Sequence, residues 1–279
     1  MNPIRLGTRG SDLALTQTRL VADALRAAHP GLVVETRIIQ TSGDRRLDVS
    51  LSAPGALGKG LFTKELEDAL LASTIDAAVH SLKDLPTEQP AGLTLGAILR
   101  RADPSDTLVS KTPGGLAGLP PGACVATSSP RRKAQLLRLR SDLRVADIRG
   151  NVPTRLRKLA DDPSLHALLL AQAGLDRLGP GVVPPGLHVT VVPEILPAPG
   201  QGALAVECRA DDTATLRLLR AVHHEETALC VGEERRLLHE LGGGCSLPFA
   251  ALAVMENGRL SVRTFWESDD PPGTRVGNG

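Results

Sequence analysis

The sequence predicts an α/β protein of two or three compact units, and three observations carry that expectation. Short apolar runs of strand character alternate with amphipathic helical stretches, which points to layered units with mainly parallel sheets. Two crossing-like segments, near residue 100 and over 193–202, bracket a second stretch of the same alternation. The final part changes texture, to one long helical stretch and a hairpin signal. A chain of 279 residues is also too long for one small core.

The elements follow in order. Ile4 to Thr8 reads as a strand, and Ser11 can cap a helix whose Leu13, Leu20, Val21, Ala24, Leu25 and Ala28 keep helical spacing. His29-Pro30-Gly31 ends it, and Leu32 to Ile39 reads as the next strand. Phe62 to Ala72 reads as a helix and Ile75 to His80 as a short buried strand. Arg100 to Pro104 looks like a crossing, and Pro113 to Gly122 is a Pro/Gly-rich loop. A second unit follows, with strands at Cys124 to Thr127, Leu143 to Ile148 and Ala167 to Ala171. Helices over Pro130 to Arg140 and Pro153 to Ala160 separate them. Pro193 to Gly202 reads as the return crossing, and two crossings around an inserted unit resemble the hinged, two-lobed layout of periplasmic-type binding folds. Glu225 to Leu241 reads as one helix stopped by Gly242-Gly243-Gly244, Asn257-Gly258 as a hairpin turn, and Ser268 to Gly279 as a loose polar tail.

Composition narrows the function. A net charge of +1 gives no global bias toward nucleic acid or a membrane. Three Phe, one Trp and no Tyr can hardly supply the stacking platforms that single-stranded nucleic acid requires. The opening residues hold no continuous apolar stretch, and the most apolar run, around Ala167 to Ala171, is too short to span a bilayer. Cys124, Cys208, Cys230 and Cys245 are scattered without C-x-x-C pairing, which suits a reducing, cytoplasmic setting. Cys124, Cys208 and Cys230 read as core residues. His223, His224 and His239 lack metal-ligand spacing and read as helix-surface residues, so no metal is expected.

Local charge is another matter. Ten basic residues crowd Arg131 to Lys158, with Asp142 and Asp147 as the opposing charges within that stretch. Arg138, Arg140, Arg144 and Arg157 read as a solvated helix face. Thr127-Ser128-Ser129-Pro130-Arg131-Arg132 is better placed: a strand end, a capping serine, a proline in the first turn and two guanidinium groups make an anion site. Arg149 to Arg155 repeats the design, and Thr8-Arg9-Gly10-Ser11 offers it once more in the first unit. Together they favour a ligand with many carboxylates or phosphates, and the missing G-x-x-x-x-G-K-[ST] pattern disfavours a nucleotide.

Two further features invite chemistry. Val79-His80-Ser81-Leu82-Lys83-Asp84-Leu85-Pro86 delivers Lys83 and Asp84 to a turn at the sheet edge where open α/β folds bind ligands, although an ordinary solvated turn has the same spacing. Gly242-Gly243-Gly244-Cys245 makes a pliable loop that can bring one sulfur to another surface. Ser52 to Gly60, with Lys59 near its end, reads equally as a lid or a surface loop.

GTRGSDLAL, GKGLF, HSLKDLP, TSSPRR, RGNVPTR, GLDRLG, PGQGALAVECR and GGGCSLP, in this order, closely resemble the hydroxymethylbilane synthase (porphobilinogen deaminase) family, from about residue 4 to residue 250. The resemblance implies three domains: 1–99 with 200–219, then 104–195, then a small α+β domain over 222–279. The first two would form a periplasmic-binding-protein-like pair. It implies a transferase joining four porphobilinogen molecules, with loss of ammonia, on a dipyrromethane cofactor held covalently at Cys245. Asp84 matches the catalytic carboxylate. Lys83, Thr127, Ser129, Arg131 and Arg132 match contacts on the cofactor side. Arg9, Ser11, Gln17, Phe62, Arg149, Arg155 and Arg177 match positions near the incoming substrate or growing chain, and Lys59 belongs to the lid. A monomer is expected, with neither nucleic acid nor membrane as partner. Asp12 departs from the family's usual proline, Gly242 from a frequent acidic residue, and the short stretch after Cys245 suggests a trimmed third domain. The rival reading is a non-catalytic two-lobed protein that binds a polycarboxylate anion, which would leave Asp84 and Cys245 without a task.

Overall fold

A computed structural model describes residues 3–42, 63–242 and 247–267. The first lobe is a five-stranded sheet of order β2-β1-β3-β10-β4. Its strands are β1 (Ile4–Thr8), β2 (Val34–Ile38), β3 (Ala77–Ser81), β4 (Leu93–Ile98) and β10 (Leu204–Arg209). The second lobe repeats the pattern as β7-β6-β8-β5-β9. Here the strands are β5 (Asp106–Ser110), β6 (Cys124–Ala126), β7 (Arg144–Ala146), β8 (Ala167–Ala171) and β9 (His188–Val191).

The expected parallel character holds for all but one strand of each sheet. β10 runs against both β3 and β4, and β5 runs against both β8 and β9. These two strands enter directly from the crossings, so they start at the edge where their neighbours finish. All the loops at the ends of β1, β3, β6, β7 and β8 therefore collect beside the two crossings, which is where open α/β sheets place their ligands.

Helices cover both sheets: α1 (Asp12–Ala28), α2 (Lys64–Leu71) and α6 (Thr213–Arg220) on the first, α3 (Pro130–Leu139), α4 (Val152–Asp161) and α5 (Gln172–Leu178) on the second. Val21, Ala22 and Leu25 of α1 pack with Ile4, Leu6, Val79 and Val206 in the first core. The second sheet is buried on both faces, with Leu108, Val125, Leu136 and Leu169 on one and Val109, Ala126, Leu156 and Leu168 on the other. The capping signals are realised. Ser11 accepts from the Ala14 amide at 3.3 Å, Ser129 from Arg132 at 3.4 Å and Asn151 from Thr154 at 2.9 Å.

The last part comprises α7 (Glu225–Glu240) and the hairpin of β11 (Phe249–Glu256) and β12 (Arg259–Trp266). Asn257 and Gly258 take φ values of 51° and 75°, the left-handed pair that a two-residue hairpin turn demands. The long helix and hairpin rest on the crossings: the Ala251 amide donates to Pro197 O at 3.3 Å, and Arg101 reaches Glu234 of α7 at 2.6 Å.

Three expectations need correction. His223 and His224 precede α7 rather than lining its surface. Nδ1 of His223 accepts from the Ile98 amide at 3.1 Å, and Nδ1 of His224 caps the helix at the Thr227 amide, 3.2 Å away. Arg140 and Arg144 lie beyond α3 and are not a free helix face. Arg140 pairs with Asp142 at 2.8 Å, and Arg144 donates to Gly122 O at 2.9 Å. Finally, Asp142, which pairs with Arg140, and Asp147 are not the sole opposing charges: the buried Asp106, from outside that stretch, pairs with Arg131 and Arg132.

Candidate functional site

On the first lobe the turn after β1 presents Arg9 and Ser11, and β3 runs into a single 3-10 turn, Leu82–Asp84. Leu82 is fully buried and anchors that turn, which leaves Asp84 exposed. Arg9, Ser11, Gln17, His80, Ser81 and Asp84 line a pocket of about 70 Å³. Gln17 is buried in the first half of α1, and its Nε2 donates to Ser81 Oγ at 2.8 Å, locking the rim of the pocket. Among the described residues Asp84 makes no hydrogen bond or ion pair, so its carboxylate is available to a ligand.

On the second lobe Arg131 and Arg132 turn inward from the start of α3. Both are buried, and each places a guanidinium nitrogen 2.7 Å from a different oxygen of the fully buried Asp106. Arg132 also donates to Leu169 O at 3.0 Å, and Arg131 to Leu196 O. Gln201, from the return crossing, gives its amide to Asp106 Oδ1 at 2.8 Å and to Pro104 O at 2.7 Å. Its Oε1 accepts from Lys83 Nζ at 3.2 Å. One amide therefore ties the first-lobe lysine to the second-lobe arginines across the hinge.

The electrostatics show a positive surplus. Burial alone would raise the Asp106 carboxyl, yet Arg132 and Arg131 hold it well below the usual carboxylate range. Burial and the nearby Arg132 push the Lys83 ammonium down to about 8. Arg155 is likewise lowered, by burial and then by Arg132, while Asp84 across the cleft opposes the shift. Arg155 donates to Gly150 O at 2.7 Å, which fixes it after β7. Nε of Arg132 is buried and has no hydrogen-bond partner among the described residues. An unpaired donor among four cationic side chains and one buried carboxylate is the environment that a carboxylate-rich group would relieve.

Not every expected residue joins this cluster. Arg177 donates to Gly202 O at 2.7 Å and so braces the return crossing. Thr127 is buried, and its hydroxyl accepts from the Ser129 amide at 3.2 Å, shaping the turn ahead of α3. Arg149 lies half-buried beside Arg155 in the turn before α4. Cys245, Lys59 and Phe62 lie outside the described residues. Sequence reasoning missed Asp106, Gln201, Glu207 and Glu234, all fully buried. Gln201 is a lone polar residue in a glycine-rich run and Glu207 in an apolar one. That isolation is the signal that could have singled out Gln201 and Glu207. Asp106, by contrast, stands between Ser105 and Thr107, and Glu234 within the charged run 233–236, where nothing local marks them.

Fold and cleft together define a two-lobed α/β protein whose hinge region gathers Lys83, Arg131, Arg132 and Arg155 near an aspartate that has no partner among the described residues. Comparison with known proteins carries this further. The profile described as porphobilinogen deaminase, dipyromethane cofactor binding domain, matches residues 4–217, and that of the porphobilinogen deaminase C-terminal domain matches residues 228–271. The chain is 49% identical over 271 residues to the porphobilinogen deaminase of Syntrophomonas wolfei, covering 97% of this chain and 87% of that protein. It is 48% identical over 272 residues to that of Brevibacillus brevis, covering 97% and 86%. Among solved structures, the periplasmic aliphatic sulphonate binding protein SsuA of Escherichia coli aligns with a TM-score of 0.45 at 13% identity, over 88% of this chain and 76% of that one. The chain belongs to the porphobilinogen deaminase family, and it is an enzyme carrying that family's dipyrromethane cofactor domain.

Proposed function

We propose that this enzyme joins four porphobilinogen molecules head to tail, with loss of ammonia, into the linear tetrapyrrole hydroxymethylbilane, and that its dipyrromethane is attached through the Cys245 sulfur. The carrying observation is the free carboxylate of Asp84 facing a hinge cluster of Lys83, Arg131, Arg132 and Arg155 that has more positive charge than its one buried carboxylate can balance. When bound, the dipyrromethane supplies the pyrrole end to which new units are added.

The protein's own groups do the rest. Lys83, Arg132 and Ser129 hold carboxylates on the cofactor side, with Arg131 and Asp106 fixing the guanidinium planes and Thr127 the turn. Arg9, Ser11, Gln17, Arg149 and Arg155 shape the approach of each new unit, whose acetate and propionate need cationic partners. Arg177 steadies the return crossing behind them. Asp84 offsets the positive charge that develops as the amine leaves. A plain polycarboxylate binder would have no use for that unpaired aspartate.

This reading divides the chain into 1–99 with 200–219, 104–195 and 222–279, in line with the two sheets and the helix-hairpin unit. It takes the enzyme as a cytoplasmic monomer. The free thiols of Cys124, Cys208 and Cys230 support a reducing compartment, and no described helix is long and apolar enough to cross a membrane.

Intact mass of the denatured protein, beside a Cys245→Ser variant, tests the assignment. The expected result is an added mass of two linked pyrrole units on the parent alone, gained on incubation with porphobilinogen if the preparation starts bare. A parent that stays unmodified after incubation overturns it.

A further inference from the structure

His80 stands on the wall of the pocket that holds Asp84. Its side chain is 5% exposed, and Nε2 lies 3.3 Å from Oε2 of Glu207, whose side chain is fully buried. The two are diagonal neighbours on one sheet face, because His80 is opposite Ala205 and Glu207 opposite Ala78. Among the described residues neither Glu207 oxygen accepts a hydrogen bond, and Nε2 of His80 makes none. A dry carboxylate without donors is costly, and the adjacent imidazole is the group that can gain the compensating charge.

The other charges facing the pair come from each packed element. Glu67 of α2 is raised chiefly by burial, and the charges of Glu207 and His80 act on it in opposite directions. Arg235 of α7 donates to Leu85 O and Pro86 O at 3.1 and 2.6 Å, and its charge reaches Glu207. Arg9 and Asp84 face His80 from the pocket side.

We propose that His80, backed by Glu207, is the base that takes the proton released at the pyrrole carbon where each new unit joins; this rests on the deaminase reading above. In that step the carbon–nitrogen bond of the protonated aminomethyl group breaks, and its electron pair leaves on ammonia. A carbon–carbon bond forms to the accepting ring carbon, which sheds its hydrogen as a proton. Neutral His80 accepts that proton while the Glu207 carboxylate stabilises the imidazolium. The proton then passes to ammonia, which departs as ammonium, and the imidazole is restored for the next round.

The test is the pH dependence of kcat and KM, from about pH 5 to about pH 9, for protein whose covalent group is confirmed by intact mass. The parent enzyme should slow on the acid side, where a general base loses its function. His80→Gln should lower kcat about 100-fold, leave KM within about twofold and abolish the acid limb. Glu207→Gln, an isosteric change, should move the acid limb to lower pH, because the charge favouring the imidazolium is gone. A loss of packing alone would leave that limb in place. An unmoved acid limb in Glu207→Gln overturns the proposal, even if His80→Gln does not fold. If the parent enzyme turns over and His80→Gln keeps kcat within about threefold, this proposal fails alone. A parent that releases no ammonia from porphobilinogen overturns the deaminase reading and this proposal with it.

Discussion

The Glu234 carboxylate receives both terminal nitrogens of Arg101, at 2.6 and 3.0 Å, and also accepts from the Gly200 amide at 2.7 Å and the Ala253 amide at 2.8 Å. Arg101 lies on the outgoing crossing, Gly200 on the return crossing, and Ala253 on β11. A single buried side chain of α7 therefore clamps the long helix and hairpin to both strands of the hinge. Replacing Glu234 with Gln leaves a guanidinium in a dry site without its counter-charge. The expected loss is about 3–5 kcal/mol of stability, read from urea unfolding. A loss below about 1 kcal/mol would show that the clamp is solvated and weak.

Asp106 makes a pH-dependent contribution. Its carboxyl ionises more readily folded than unfolded, so unfolding at low pH takes up a proton there. The stabilisation is complete above the unfolded carboxyl value of about 4 and is lost as pH falls below it toward the folded value. Asp106→Asn should therefore be less stable near neutrality by about 3 kcal/mol or more, and its stability should depend less steeply on pH below about 4. Urea unfolding at a series of acid pH values measures both. Parallel acid limbs for parent and variant would disprove the coupling.

Asp84 is exposed and has no partner among the described residues, so removing it should barely affect folding. Asp84→Ala should unfold within about 0.5 kcal/mol of the parent and yet lose about 100-fold or more of ammonia release. Near-parental turnover would remove the aspartate from the chemistry.

Gly202 adopts φ +88°, and a Cβ added there would lie 2.6 Å from the carbonyl oxygen of Ala102 on the opposite crossing. Backbone blocks the side chain, and the conformation itself disfavours one. Gly202→Ala should cost about 2 kcal/mol or more and lower the melting temperature. It should also disturb Arg177, which donates to the carbonyl of that same residue. A variant as stable as the parent would mean that the crossings separate without penalty.

Local chemistry decided much of what was legible in the sequence. Ser11, Ser129 and Asn151 each announce a helix start because a side-chain oxygen beside free amides is a short-range device. Asn257-Gly258 fixes its hairpin for the same reason, since its two residues tolerate positive φ. The strands β1, β2, β3, β6, β7 and β8 with the helices between them, the crossings, and the placement of Lys83 and Asp84 after a strand all follow from periodicity and turn residues within a few positions of one another. By contrast, β4, β5, β9, β10, α5 and α6 are not read from the sequence.

What tertiary structure alone decided is the partnering of charges. Asp106 meets Arg131, 25 residues away, because β5 enters antiparallel beside β8 and sets its first residue under the start of α3. Glu234 meets Arg101, and Glu207 meets His80, through pairings between segments more distant still. A run of arginines in sequence thus separates into buried, paired and braced groups only once the sheets are stacked. The sequence by itself determined many of the elements and the residue types at the hinge, because those depend on neighbours along the chain. Which charges are neutralised within the protein, and which remain for a ligand, depends on distances of a few ångströms between strands, and only the folded arrangement supplies those.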